Sequence, residues 1–113
     1  MVLRNGKISY VQQTNNLDIF LAQDAILLDV RTIHEYARTK IPTARHIAVE
    51  DLPNVIEQVR SWNAPIITYC NYGDKSRLAA ELLNQANIKA MNGGIKRELV
   101  KLLLKKEVAE RQN

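Results

Sequence analysis

An α/β domain built on a central, mainly parallel sheet with helices on both faces is what this sequence predicts, from three observations. Short continuous apolar runs occur at Ala25–Leu28, Pro65–Tyr69 and Ile88–Met91, the form taken by strands covered on both faces. Each is followed by a longer stretch with apolar residues at helical spacing. No repeat, linker or low-complexity stretch interrupts the alternation. Strands alternating with helices give a parallel sheet, because each strand needs a crossover before the next.

The elements follow in order. Ile8–Val11 is a weak strand candidate, and Thr14 can cap a helix carrying Leu17, Phe20 and Leu21 on one face. Ala25–Leu28 is the first buried strand. Thr32-Ile33-His34-Glu35 has the form of a capping box, so a short helix should follow Arg31 directly. His46-Ile47-Ala48 is a short strand candidate. Asp51 can cap a helix with Leu52, Val55, Ile56 and Val59 facing inward, with Pro53 tolerated in its first turn. Pro65–Tyr69 is β-branched and opens on a breaker, which marks a strand. Ser76–Ala86 places Leu78, Ala79, Leu82, Leu83 and Ala86 at helical spacing. Ile88–Met91 is a strand closed by Asn92-Gly93-Gly94. From Ile95 to about Glu110 a helix carries Ile95, Leu99, Leu102 and Leu103 on one stripe, with Lys96, Arg97, Lys101 and Lys105 mostly outside it.

Composition sets the limits. The chain has 113 residues, with 46% hydrophobic and 25% charged, the mix of a globular domain rather than a disordered one. That length fits one domain over residues 1–113, with a core over about residues 8–104. The formal net charge is +4, and all of the surplus lies from Asp74 onward. A surplus of that size is ordinary and does not indicate nucleic acid, while aromatics at 5% argue against a stacking platform. The N-terminus lacks the apolar stretch of a signal peptide and no run is long enough to span a bilayer. The expectation is therefore a cytoplasmic protein with neither membrane nor nucleic acid among its partners. Cys70 is the one cysteine, so no intramolecular disulfide can form.

One segment carries chemistry. A buried strand runs into Cys70, a compact loop Asn71-Tyr72-Gly73-Asp74-Lys75 follows, and a helix begins near Ser76. In open parallel sheets the functional crevice lies at the carboxyl ends of the strands. A loop running from strand end to helix start can turn its backbone N–H groups inward as an anion cradle. The helix N-terminus and Lys75 favour thiolate over thiol at Cys70, and Asp74 opposes them. Nucleophilic sulfur facing an anionic substrate is the chemistry suggested. Arg31 and Glu35 are expected to form a structural ion pair, and Tyr69 to lie in the core. His34 and His46 stand twelve residues apart with no cysteine partner, which makes a zinc site a poor reading.

Cys70-x-x-Gly73-x-Lys75-Ser76, followed by Ala79-Ala80, resembles the active-site loop of rhodanese-like sulfurtransferases, usually Cys-x-x-Gly-x-Arg-Ser. Leu28-Asp29-Val30-Arg31, with Glu35-Tyr36 and Ile41-Pro42-Thr43-Ala44, resembles the family's entry motif. Asn92-Gly93-Gly94-Ile95 resembles its closing Gly-Gly motif. The three blocks span about residues 8–100 in the family's order and spacing. Lys75 stands where the family has Arg, which turns a bidentate grip on an oxyanion into a point-charge contact.

The resemblance implies sulfane-sulfur transfer in two steps through a Cys70 persulfide. A small donor such as thiosulfate supplies the sulfur and cyanide or a thiol accepts it, a protein acceptor being one option. Loop N–H groups from Asn71, Tyr72, Gly73, Asp74, Lys75 and Ser76 would hold the persulfide's terminal sulfur, and Lys75 the donor's sulfonate. No metal or organic cofactor is implied. The rivals are a cysteine phosphatase or arsenate reductase, which would want Arg where Ser76 stands, and a sulfur-carrier or partner-docking module with little small-molecule turnover.

Overall fold

Ile66-Ile67-Thr68-Tyr69-Cys70 is buried at every position and forms the axis of the sheet. The computed structural model describes residues 16–111. In chain order these form α1 (residues 16–22), β1 (Ile26–Asp29), α2 (Ile33–Arg38) and β2 (Arg45–His46). A 3-10 helix (Val49–Asn54), α3 (Ile56–Ser61), β3 (Ile66–Cys70), α4 (Asp74–Gln85), β4 (Ala90–Ile95) and α5 (Lys96–Arg111) follow. The strand order is β2-β1-β3-β4 and every pairing is parallel. The strand expected over Ile8–Val11 and the cap at Thr14 lie outside the described residues.

The period of two along β3 sorts its side chains into two layers. Ile66 and Cys70 join Leu28, Val59, Ala79 and Leu83 on one face, under α3 and α4. Ile67 and Tyr69 join Phe20, Leu27 and Leu99 on the other, under α1 and α5. Leu83 and Leu99 are fully buried, and each such side chain contributes about 1.5–3 kcal/mol of transfer free energy. The Tyr69 hydroxyl is buried with no hydrogen-bond partner among the described residues, and burial pushes its ionisation above the usual phenol range, Asp29 adding to the effect.

Several elements differ from the sequence-based expectation. α4 begins at Asp74, so Asp74 and Lys75 sit in its first turn rather than in the loop, and the short strand is Arg45–His46 rather than His46–Ala48. The helix expected from Asp51 is divided, because the chain already turns at Val49 as a 3-10 helix and α3 starts only at Ile56. Pro53 then falls late in the turn, where it has no N–H to donate and its ring would strike the carbonyl four residues back in an α-helix. The last strand does not stop at Asn92-Gly93-Gly94 but runs through it to Ile95. A Cβ on Gly93 would lie 2.6 Å from Ile67 Cγ2 and 2.9 Å from the Thr68 carbonyl oxygen, so only glycine lets β4 approach β3. The register shifts there by one residue, a bulge that sets Ile95 beside Cys70. Ile95 accordingly leaves the helical stripe and is partly exposed.

Candidate active site

The carboxyl end of β3 delivers Cys70 into the turn before α4. Gly73 occupies the helix N-cap in the left-handed region, at φ 90° and ψ −13°, a conformation a side chain would strain. Being glycine, it also offers no side-chain oxygen to the free N–H groups of the first turn. Sulfur takes that role instead. The N–H of Gly73 donates to Cys70 Sγ at 3.0 Å and that of Ser76 at 3.3 Å. The third residue of the helix, where a capping side chain normally accepts, thus points its N–H at the thiol.

The surroundings fix this arrangement. Thr68 Oγ1 donates to the Ser76 carbonyl at 2.7 Å, tying the first turn of α4 to β3. Ser76 is fully buried, and its hydroxyl lies 3.3 Å from both Sγ and the Gly73 carbonyl oxygen. Asp74 Oδ1, a negative charge, lies 3.9 Å from Sγ. Cys70 is only 1% exposed.

Other residues singled out in the sequence stand around this turn in different roles. The Asn71 side chain faces away from the sulfur and donates to Glu35 Oε2 at 3.0 Å. Arg31 Nη1 donates to Asn71 Oδ1 at 3.5 Å. Tyr72 projects outward and is 85% exposed. Lys75 is half-buried and lies near Glu35 rather than in an ion pair among the described residues. Glu35 is held below its ordinary value first by the Thr32 N–H, with Lys75 and Asn71 adding to it.

Arg31 does not pair with Glu35, contrary to expectation. It binds Asp29 through Nε at 3.0 Å and Nη2 at 2.7 Å, and Nη2 also donates to the Thr39 carbonyl. Asp29 and Arg31 are two apart on an extended strand end, hence on one side of the chain, whereas Glu35 is taken by the capping box with Thr32. That spacing was the available signal for the pair. The link from Asn71 to Glu35 had none, being a contact across 36 residues. His46 Nε2 donates to the Arg31 carbonyl at 2.8 Å, and among the described residues no group of three possible ligands could hold a metal.

The model of the rhodanese-like domain family matches residues 14–97. The chain belongs to the rhodanese-like family. A tRNA sulfurtransferase from Desulfurococcus amylolyticus is 34% identical over 76 residues, which are 66% of this chain and 15% of that protein. This chain therefore spans a small part of that relative's length. The crystal structure of SSP1007 from Staphylococcus saprophyticus superposes with a TM-score of 0.57 at 27% identity, over 65% of this chain and 74% of that one. The human single-domain sulfurtransferase TSTD1 shares the rhodanese-like fold, with a TM-score of 0.57 at 24% identity over 77% and 91% of the two chains. Within the rhodanese-like frame, Cys70 ends the central strand and Asp29-Val30-Arg31 ends its neighbour. Among the described residues no helix is long and apolar enough to cross a membrane.

Proposed function

We propose that this rhodanese-like protein is a sulfurtransferase acting through a persulfide on Cys70. The observation that carries the reading is the pair of backbone donors, from Gly73 and Ser76, aimed at Sγ at the carboxyl end of β3. Two N–H dipoles at a helix N-terminus stabilise negative sulfur, as they stabilise oxygen in an oxyanion hole. With thiosulfate as donor, the Cys70 thiolate attacks the outer sulfur. The new S–S bond forms as the donor's own S–S bond breaks, and sulfite departs with the electron pair. Cyanide or a thiolate then attacks the terminal sulfur of the persulfide and returns Cys70 as thiolate. Splitting the transfer in this way is covalent catalysis. Lys75 receives the donor's sulfonate, and Ser76 offers its hydroxyl to the sulfur anion.

A second reading has its own support. Cys70 is nearly buried and Asp74 stands 3.9 Å from its sulfur, both unfavourable to a free dianion. On that reading the domain takes sulfur from a bound partner and turns over small donors slowly. Thiocyanate formation from thiosulfate and cyanide separates the two. Steady turnover that disappears in Cys70→Ser supports the enzyme, whereas no turnover by a protein that still accepts sulfur from a protein persulfide supports the carrier.

A further inference from the structure

We infer that a cationic cleft beside the Cys70 loop docks an acidic, cysteine-bearing segment of a protein sulfur acceptor. This deepens the sulfur-transfer reading and rests on it. The cleft encloses about 620 Å³ and is lined by Asn71 and Tyr72 from the loop, by Ile95 at the end of β4, and by Lys96, Arg97 and Lys101 from the start of α5. Its lining contains no carboxylate. It adjoins the sulfur, since Ile95 is the register partner of Cys70 and its Cγ1 lies 3.9 Å from where a Cβ on Gly73 would stand.

Charge and shape together select the occupant. Arg31 also borders the cleft, but Asp29 already claims its guanidinium. That leaves the cations of α5. Glu98 reaches Arg97 at 3.8 Å and Lys101 at 3.7 Å, yet all three side chains are more than half exposed, and such pairs exchange readily for a better partner. Two large side chains, Tyr72 at 85% and Ile95 at 39% exposure, stand at the same place. A small anionic thiol has no use for them. An aromatic anchor and an apolar neighbour within a basic rim match the anatomy of a protein interface. A polynucleotide would call for several stacking rings, and the cleft has only Tyr72.

Fluorescence anisotropy with short labelled peptides tests the inference without requiring turnover. One peptide carries Glu residues around a Ser in the place of its Cys, and the other replaces each Glu by Gln. The acidic peptide should bind at least about tenfold tighter at low salt, and the preference should vanish near 0.5 M salt, where the screening length is about 4 Å. Lys101→Glu should remove the preference and Tyr72→Ala should weaken binding about tenfold. Lys89→Glu, an equal charge change at the opposite end of β4, should leave binding intact. Equal binding of both peptides, an equal loss in Lys89→Glu, displacement of the peptide by a small dicarboxylate thiol, or tighter binding of tRNA than of peptide would each overturn the docking site. The mass of the same protein after thiosulfate treatment is read separately. A protein that gains sulfur neither from thiosulfate nor from a protein persulfide but shows the expected peptide pattern has lost the transfer reading and kept the docking site.

Discussion

At the end of β1 the chain buries a complete ion pair, Asp29 with Arg31, while one strand over, at the end of β3, it buries a sulfur bounded by N–H groups. The two ends are neighbours, Asp29 being the register partner of Tyr69. Asp29 is 0% and Arg31 3% exposed, and the carboxylate has the guanidinium on both of its oxygens. Every strong group there is satisfied, and Asp29 raises the Arg31 guanidinium further above its already high range. Cys70 has two N–H dipoles aimed at its sulfur, and the carboxylate 3.9 Å from it, that of Asp74, has the wrong sign. The first end is saturated and so holds structure. The second is left under-compensated, which suits a group that must react.

The largest expected effect tests the saturated end. Arg31→Ala leaves the Asp29 carboxylate buried without its partner, and breaking such a pair costs about 3–5 kcal/mol. Out of a total of roughly 5–15 kcal/mol, that is a large fraction, visible in urea or thermal unfolding. A loss under about 1 kcal/mol would mean that Asp29 is not the buried charge its surroundings suggest.

At the reactive end the effects fall on kinetics. Lys75→Ala should lower kcat/KM for thiosulfate at least about tenfold, mainly through KM, because it removes the cation proposed to receive the donor's sulfonate. Asp74→Asn removes the opposing charge, and Lys75→Arg supplies a fork in place of a point charge. Each should raise kcat/KM by about three- to thirty-fold. A neutral Lys75→Ala would show that its ammonium serves Glu35 rather than the donor.

A smaller effect lies between the two ends, at Glu35, which joins the capping box to Asn71 of the loop. Its folded value is lowered from 4.5, so its stabilisation is present above that pH and is lost as pH falls through the folded value. Glu35→Gln should therefore be less stable than wild type near neutrality, with the difference shrinking in acid unfolding series below about pH 4.5. A difference that is constant across that range would assign the contact no ionic part.

The two ends were unequally legible in the sequence. The strand–loop–helix around Cys70 can be read from local pattern, since Ile66–Cys70 is apolar and Gly73 marks the turn. The capping box at Thr32 was equally plain, both of its bonds being local. That Ser76 N–H would cap on sulfur depends on the three-dimensional path of the loop, which spacing alone does not fix. The passage of β4 through Gly93 reads as a strand stop until the close approach of Ile67 and Thr68 is known. The division of the helix around Pro53 is not legible in the sequence for a related reason. A 3-10 start at Val49 is set by packing of Val49 and Leu52, not by a capping residue.

The central claim is that the sulfur at the end of β3 is a nucleophile. Intact-protein mass spectrometry after treatment with excess thiosulfate tests it most directly. The account predicts a gain of about 32 Da, one sulfur atom on Cys70, that cyanide removes and that Cys70→Ser never shows. A wild-type mass unchanged by thiosulfate and by a protein persulfide donor alike would contradict it.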